Sequence, residues 1–88
     1  MALTRKGDTL KVFGDVIFQA WDESGTIVTI TVSQEALEDY ASLRGIVGSQ
    51  TDIFMQAMSD ILDVAERIPM TFEDGISKIL VQTKDLNG

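Results

Sequence analysis

Apolar and polar residues alternate in the first half of the chain in the manner of a β-hairpin. Residues 16–21, VIFQAW, have the period of two that indicates a strand. The polar run from Asp22 to Gly25 ends in glycine and is typical of a turn. Residues 26–32, TIVTITV, are all β-branched and predict a second strand. Together these segments predict a hairpin.

From residue 33 onward the apolar spacing changes to three and four, which predicts two helices. Ser33 is a preferred N-cap residue, and Gly45 is placed to end the first helix. The second helix is predicted over about residues 50–68. Pro69 ends it, because proline lacks an N–H and disfavours helical geometry at the residue before it. Its apolar residues share one face: Phe54, Ala57, Met58, Ile61, Ala65 and Ile68.

The last segment predicts a third strand over residues 77–83, after a connection over residues 70–75. The order strand, strand, helix, helix, strand predicts an α+β fold, β-β-α-α-β. In this fold two helices pack on one face of a small three-stranded sheet. The strand residues expected to face the helices are Phe18, Val28, Ile30, Val32, Ile79 and Val81.

The length of the chain predicts a single domain over residues 1–88. We expect its ends to be loose, over residues 1–8 and 85–88. A short extended stretch is expected over residues 9–13.

Three segments of the chain resemble a known family. They read VIFQAWDESGTIVTITVSQEAL, IFMQAMSDILDVAERI and KILVQTKDL. In this order, over about residues 8–86, they resemble the Domain of Unknown Function 1488 family of short bacterial proteins. The resemblance rests on apolar and polar positions. It implies an α+β bacterial domain without an established biochemical role, and it supplies no active-site residues. Pro69 departs from the family pattern because it cuts the second helix sharply.

The composition disfavours the commonest kinds of catalytic and metal site. The chain contains no histidine and no cysteine, the side chains most used for proton transfer near pH 7, nucleophilic attack and zinc binding. It carries 14 acidic and 7 basic residues, for a net charge of −7. Binding of nucleic acid or of an anionic membrane needs clustered lysine or arginine, and here these residues are scattered. We therefore expect no cofactor, no metal, no nucleic acid and no membrane as partner.

The location expected for this protein is the cytoplasm. No apolar run approaches the roughly 20 residues that span a bilayer. No apolar stretch of signal-peptide length follows the early positive charges. The absence of cysteine is consistent with a reducing compartment.

Carboxylates are the remaining candidates for chemistry. Asp60 and Asp63 lie three residues apart on the second predicted helix. Two close carboxylates can divide acid and base roles, but only in a dehydrated cleft. Both residues fall on the predicted wet face of the helix, so a solvated surface is the favoured interpretation.

A short glycine loop offers a second candidate site. Gly45 and Gly48 frame a GxxG segment between the two predicted helices, and KH domains clamp a nucleic-acid backbone with such a loop. The two residues between these glycines are apolar rather than basic, and Asp52 follows them. A helix C-cap followed by a tight turn explains both glycines and is the favoured interpretation.

The sheet face opposite the helices is the preferred candidate for a functional surface. Its apolar members are predicted to be Ile17, Trp21, Ile27 and Leu80. An exposed tryptophan with aliphatic neighbours is typical of an interaction patch. Two simpler interpretations stay open: the N-terminal arm could fold across this face, or Trp21 could cover the edge of the sheet.

These observations favour a non-enzymatic protein-interaction module. Self-association is expected through the open sheet face or through an exposed strand edge, and another protein partner is also consistent with the sequence. The alternative is a small-molecule or KH-like nucleic-acid binder that uses the loop from Gly45 to Gly48.

Overall fold

The computed structural model describes residues 3–6 and 14–87, and over these residues the fold is α+β, as predicted. Five strands and three helices occur in these two ranges. Their bounds, in chain order, are β1 (Thr4–Arg5), β2 (Val16–Trp21), β3 (Ile27–Val32), α1 (Gln34–Arg44), α2 (Gln50–Ala65), β4 (Thr71–Glu73), β5 (Ile76–Val81) and α3 (Thr83–Leu86).

The strands form one mixed sheet in the order β1-β2-β3-β5-β4. β3 pairs with β5 in parallel, whereas the other neighbours are antiparallel. Helices α1 and α2 make the crossover that a parallel connection requires. The three predicted strands are thus the centre of the sheet, and the order β-β-α-α-β describes only this central part.

The prediction of a three-stranded sheet is wrong because two short edge strands extend it. Residues 4 and 5 were expected in a loose arm, but they pair with β2, and Leu3 is 7% exposed. Residues 71–73 were expected in a connection, but they form a hairpin with β5. Strands of two or three residues are too short to show a period, so only pairing with a neighbour reveals them. The extended stretch expected over residues 9–13 lies outside the described residues.

Side-chain caps define where the two long helices begin. The Ser33 hydroxyl accepts a hydrogen bond from the Ala36 N–H at 3.2 Å, and Ser49 with Asp52 forms a reciprocal capping box at α2. α2 ends at Ala65 rather than near residue 68. The next residues form tighter i to i−3 bonds, because Pro69 disfavours helical geometry just before it.

One apolar layer fills the space between the sheet and the helices. All six strand residues predicted to face the helices are at most 2% exposed, as expected from their alternation. On the helix side, Leu37, Phe54, Ile61 and Ala65 are equally buried, whereas Met58 lies at the margin of the layer. The rings of Phe18 and Phe54 meet at its centre, with centroids 5.2 Å apart.

The C-terminal end is folded onto the helices. The expectation of a loose end over residues 85–88 is therefore wrong for residues 85–87. Leu86 is 7% exposed and belongs to the core. The Asn87 side-chain amide donates to the Ala36 carbonyl at 3.0 Å. A single helical turn gives no periodic signal, and only its docking makes it visible.

The two faces of β3 provide a matched test of one-sided burial. Ile30→Val should lower the free energy of unfolding by about 0.5–1.5 kcal/mol, because a buried methylene is lost. Ile27→Val, on the same strand with a side chain 39% exposed, should change it by less than about 0.5 kcal/mol. Urea unfolding at low protein concentration measures both. Equal costs at the two positions would mean that both faces are covered.

Candidate functional site

Within residues 3–6 and 14–87, the helices cover one side of the sheet and leave the other side, here called the open face, uncovered. Every second residue of β2, β3 and β5 points away from the helices, because side chains alternate across a strand. These residues are intermediate or exposed, in contrast to their buried neighbours. They are Ile17, Gln19, Trp21, Ile27, Thr29, Thr31, Ile76, Lys78 and Leu80.

The apolar residues of the open face form two groups rather than one patch. Trp21 lies directly opposite Ile27, and the β3–β5 register brings Ile76 to the same level. This group, here called the aromatic end, has side chains that are 38%, 39% and 46% exposed in that order. Ile17 and Leu80 flank Thr31 on its two sides, four residues along the strands from the aromatic end.

A polar row separates the two apolar groups. Gln19 pairs with Thr29, and Thr29 pairs with Lys78, so these side chains cross the middle of the open face. The four residues predicted for the interaction surface therefore share a face but form two pairs. Ile76 was missed because the predicted third strand began one residue later, at Ser77. The alternation of β5 carries the signal for Ile76 once that strand is extended.

The open face differs in charge from the helical side. Lys6 places its ammonium 5.5 Å from the centre of the Trp21 ring, and Lys78 lies 4.0 Å from the Glu73 carboxylate. The cation on Trp21 covers part of the ring and stabilises it there. Much of the negative charge sits on the helices that cover the opposite face: Glu35, Glu38, Asp39, Asp52, Asp60 and Asp63.

The glycine loop has a structural explanation at both ends. Gly45 adopts φ 65° and its N–H bonds to the Ala41 carbonyl, which is the geometry of a helix C-cap. Gly48 adopts φ 153°, and a Cβ there would lie 3.0 Å from the Asp52 carboxylate. Between them Ile46 packs on the core and Val47 is 94% exposed. The loop thus presents one aliphatic side chain to solvent and no basic one.

The two candidate carboxylates lie on an exposed surface, not in a cleft. Asp60 accepts a 2.6 Å hydrogen bond from the Tyr40 hydroxyl, and Asp63 pairs with Arg67 at 3.0 Å. The bond to the Asp60 carboxylate, together with burial, raises the pKa of Tyr40 above its usual value of 10.0. The Arg44 guanidinium stacks on this ring, 3.8 Å from its centre. The Tyr40–Asp60 hydrogen bond joins α1 to α2, so its evident role is structural.

Other sites for a ligand are weakly developed in the part of the chain that the structure describes. One depression, of about 430 Å³, lies between α1 and α3 beside Asp39, Ser42 and Thr83. The Thr83 hydroxyl already donates to the Asp39 carboxylate there. Across the same residues, no three acidic side chains converge to hold a metal ion, and none of the helices has the length and apolarity to cross a bilayer.

No family model, curated protein or solved structure matches this chain. The resemblance to the Domain of Unknown Function 1488 family therefore stays a prediction. The open face is accordingly the structural feature from which a function is proposed.

Tyr40 is the single tyrosine of the chain, so tyrosinate absorbance reports its titration alone. Asp60→Ala should lower its pKa toward the usual value, whereas Asp63→Ala on the same helix should leave it unchanged. A raised pKa in the fold means that the neutral phenol is stabilised. The corresponding stability should be complete below about pH 10 and fall as the pH rises through the folded pKa. Identical titrations of both variants and the wild type would show that the contact is absent in solution.

Single-stranded RNA tests the glycine loop. We expect no binding of a labelled oligonucleotide at low salt, up to about 100 µM protein, the weak end of non-specific affinities. The reason is the lack of a basic side chain between Gly45 and Gly48 and the carboxylate of Asp52 beside them. Fluorescence anisotropy is the measurement. Saturable binding that Val47→Asp abolishes would assign the loop to nucleic acid instead.

Proposed function

We propose that this protein is a non-enzymatic interaction domain that acts through contacts with other protein chains, including a second copy of itself. The observation that carries the proposal is the aromatic end of the open face. There Trp21, Ile27 and Ile76 lie side by side on neighbouring strands, each more than a third exposed. Single exposed apolar residues are ordinary on protein surfaces, but adjacent ones that include a tryptophan favour an interface.

The backbone beneath these side chains supports the same proposal. Trp21 and Ile27 stand on paired strands whose opposite faces are fully buried, so the positions of their Cα atoms are set before any partner binds. A contact surface that is already ordered loses little conformational entropy on association. Tryptophan adds a large apolar area with few rotatable bonds.

Charge favours the sheet side of the molecule for self-association. Two copies with a net charge of −7 each repel one another, and the repulsion is greatest where helix carboxylates would meet. Lys78 lies on the open face, and Lys6 and Glu73 lie at its two edges, so positive and negative charge nearly balance among these residues. A second copy can therefore approach the sheet face or its edge without bringing acidic helices together.

The dimensions of the open face indicate a weak contact. Three strands of six residues cover about 20 by 14 Å, or roughly 280 Å². A stable interface usually buries about 800 Å² on each partner. The expected association is therefore transient, with a dissociation constant far above the nanomolar range.

The alternative function, a small-molecule or nucleic-acid binder, would use the loop from Gly45 to Gly48. Its supporting feature is Val47, which protrudes into solvent at 94% exposure. Both glycines are already explained by the caps of α1 and α2, and the neighbouring Asp52 carboxylate disfavours an anionic ligand. The interaction domain is therefore the better-supported proposal.

Analytical ultracentrifugation over a concentration series tests self-association. At about 0.15 M salt, where long-range repulsion is screened, the weight-average sedimentation coefficient should rise between about 10 µM and 1 mM protein, the range of a weak contact. An ideal monomer across that range would contradict the proposal. Val47→Lys serves as a matched control, because it replaces an exposed apolar side chain on the helical side; it should associate like the wild type.

A further inference from the structure

The outer strand β4 carries an aromatic side chain that is unusually exposed for its type. Phe72 is 75% exposed and stands at the middle of β4, the last strand in the sheet order. Phe72 is paired with Ser77, which is buried on the helix side, so the phenyl ring projects on that side of the sheet. Exposed aromatic side chains are a recurring feature of protein contact sites.

The backbone of Phe72 points outward from the sheet. The hairpin turn consists of Asp74 and Gly75, with φ 51° and 76°, and its closing pair is Glu73 with Ile76. Antiparallel pairs alternate between hydrogen-bonded and non-hydrogen-bonded types. Since the closing pair of a two-residue hairpin is hydrogen-bonded, the Phe72 N–H and carbonyl are directed away from β5. Since β4 is the last of the described strands, they form the short edge that β4 offers to another strand.

We infer that β4 is the site at which a second copy of this chain adds to the sheet, by antiparallel pairing of β4 with β4 about a two-fold axis through Phe72. In this arrangement Phe72 of one copy exchanges both backbone hydrogen bonds with Phe72 of the other. The two phenyl rings then lie side by side on the helix side. The two sheets become continuous and their open faces lie on one common side.

Charge complementarity favours a second copy as the occupant of this edge. In the two-fold register, Thr71 of one copy faces Glu73 of the other. Thr71 is itself paired with Lys78, so the second copy's Glu73 lies two strands from Lys78, about 10 Å between Cα atoms. Long lysine and glutamate side chains span that gap. Each Glu73, already 4.0 Å from Lys78 of its own chain, thus gains a second cation.

The open face is less suited to the same purpose. Lys78 lies in the polar row at its centre, between the two apolar groups. Two open faces packed together would bring both Lys78 ammonium groups into a dehydrated layer, where like charges are costly. Pairing at the edge leaves Lys78 in water and keeps the aromatic end available to a further partner. This inference therefore specifies which surface mediates the self-association in the proposed function, and it rests on that proposal.

Concentration-dependent amide NMR spectra of the wild-type chain locate the contact directly. Between about 10 µM and 1 mM, shifts should centre on residues 70–74, and hydrogen exchange of the Phe72 amide should slow. Shifts confined to Trp21, Ile27 and Leu80 would overturn the edge inference but keep the proposed function. Spectra that do not change with concentration would contradict both.

Sedimentation of variants is a second way to distinguish pairing at the β4 edge from packing of the open faces. Phe72→Pro removes the outward N–H without removing a bond to β5, and it should abolish association, whereas Phe72→Ala should weaken it several-fold. Ile27→Lys, a matched change on the open face, should leave the association constant within about two-fold of the wild type. The reverse pattern would overturn the edge inference. Thermal unfolding confirms that each variant is folded.

A charge exchange tests the register. Glu73→Lys alone and Lys78→Glu alone should each weaken association several-fold, because each places like charges across the two-fold axis. The double variant keeps the net charge of −7 and should recover most of the wild-type affinity. If the double variant is no better than the singles, the proposed register is wrong.

Discussion

The structure depends on the burial of one side only of the sheet. Alternation along β2, β3 and β5 sends one set of aliphatic and aromatic side chains into a single layer beneath α1 and α2. That layer is nearly complete, since its members from Val16 to Val81 are mostly 0% exposed. Because the helices occupy one side, the residues between these buried positions lie on the opposite side, where they are intermediate or exposed. The open face is thus a geometric consequence of the core.

The parallel pairing of β3 with β5 determines how the remaining elements are arranged. A parallel neighbour requires a crossover, and the two helices supply it while covering the apolar side. β5 then stands inside the sheet with room for a hairpin partner, and β4 takes the outer position. The exposure of Phe72 and the outward direction of its backbone follow from that position. The two proposed contact regions, the open face and the β4 edge, therefore have one structural origin.

Carboxylates are numerous in this chain, yet the structure uses several of them to hold local geometry. Asp52 closes the capping box of α2, Asp60 receives the Tyr40 hydroxyl, and Asp22 orders the hairpin turn. A hydrogen bond from the Ser24 hydroxyl, followed by one from the Thr26 N–H, lowers the pKa of Asp22 below its usual value. Acidic residues committed to caps, turns and helix contacts in this way fix local geometry.

The sequence by itself determined the central strands, the two long helices, the caps Ser33 and Gly45 of the first helix, and the six strand residues that face the helices. Each of these depends on a local period or on a residue type such as Ser33, Gly45 or Pro69, which acts within a few positions. Only the tertiary structure decided the features without a local signal. Strands β1 and β4 and the turn α3 are too short to carry a period and exist through their neighbours. The division of Ile17, Trp21, Ile27 and Leu80 into two pairs likewise depends on strand register, because register is a relation between distant segments.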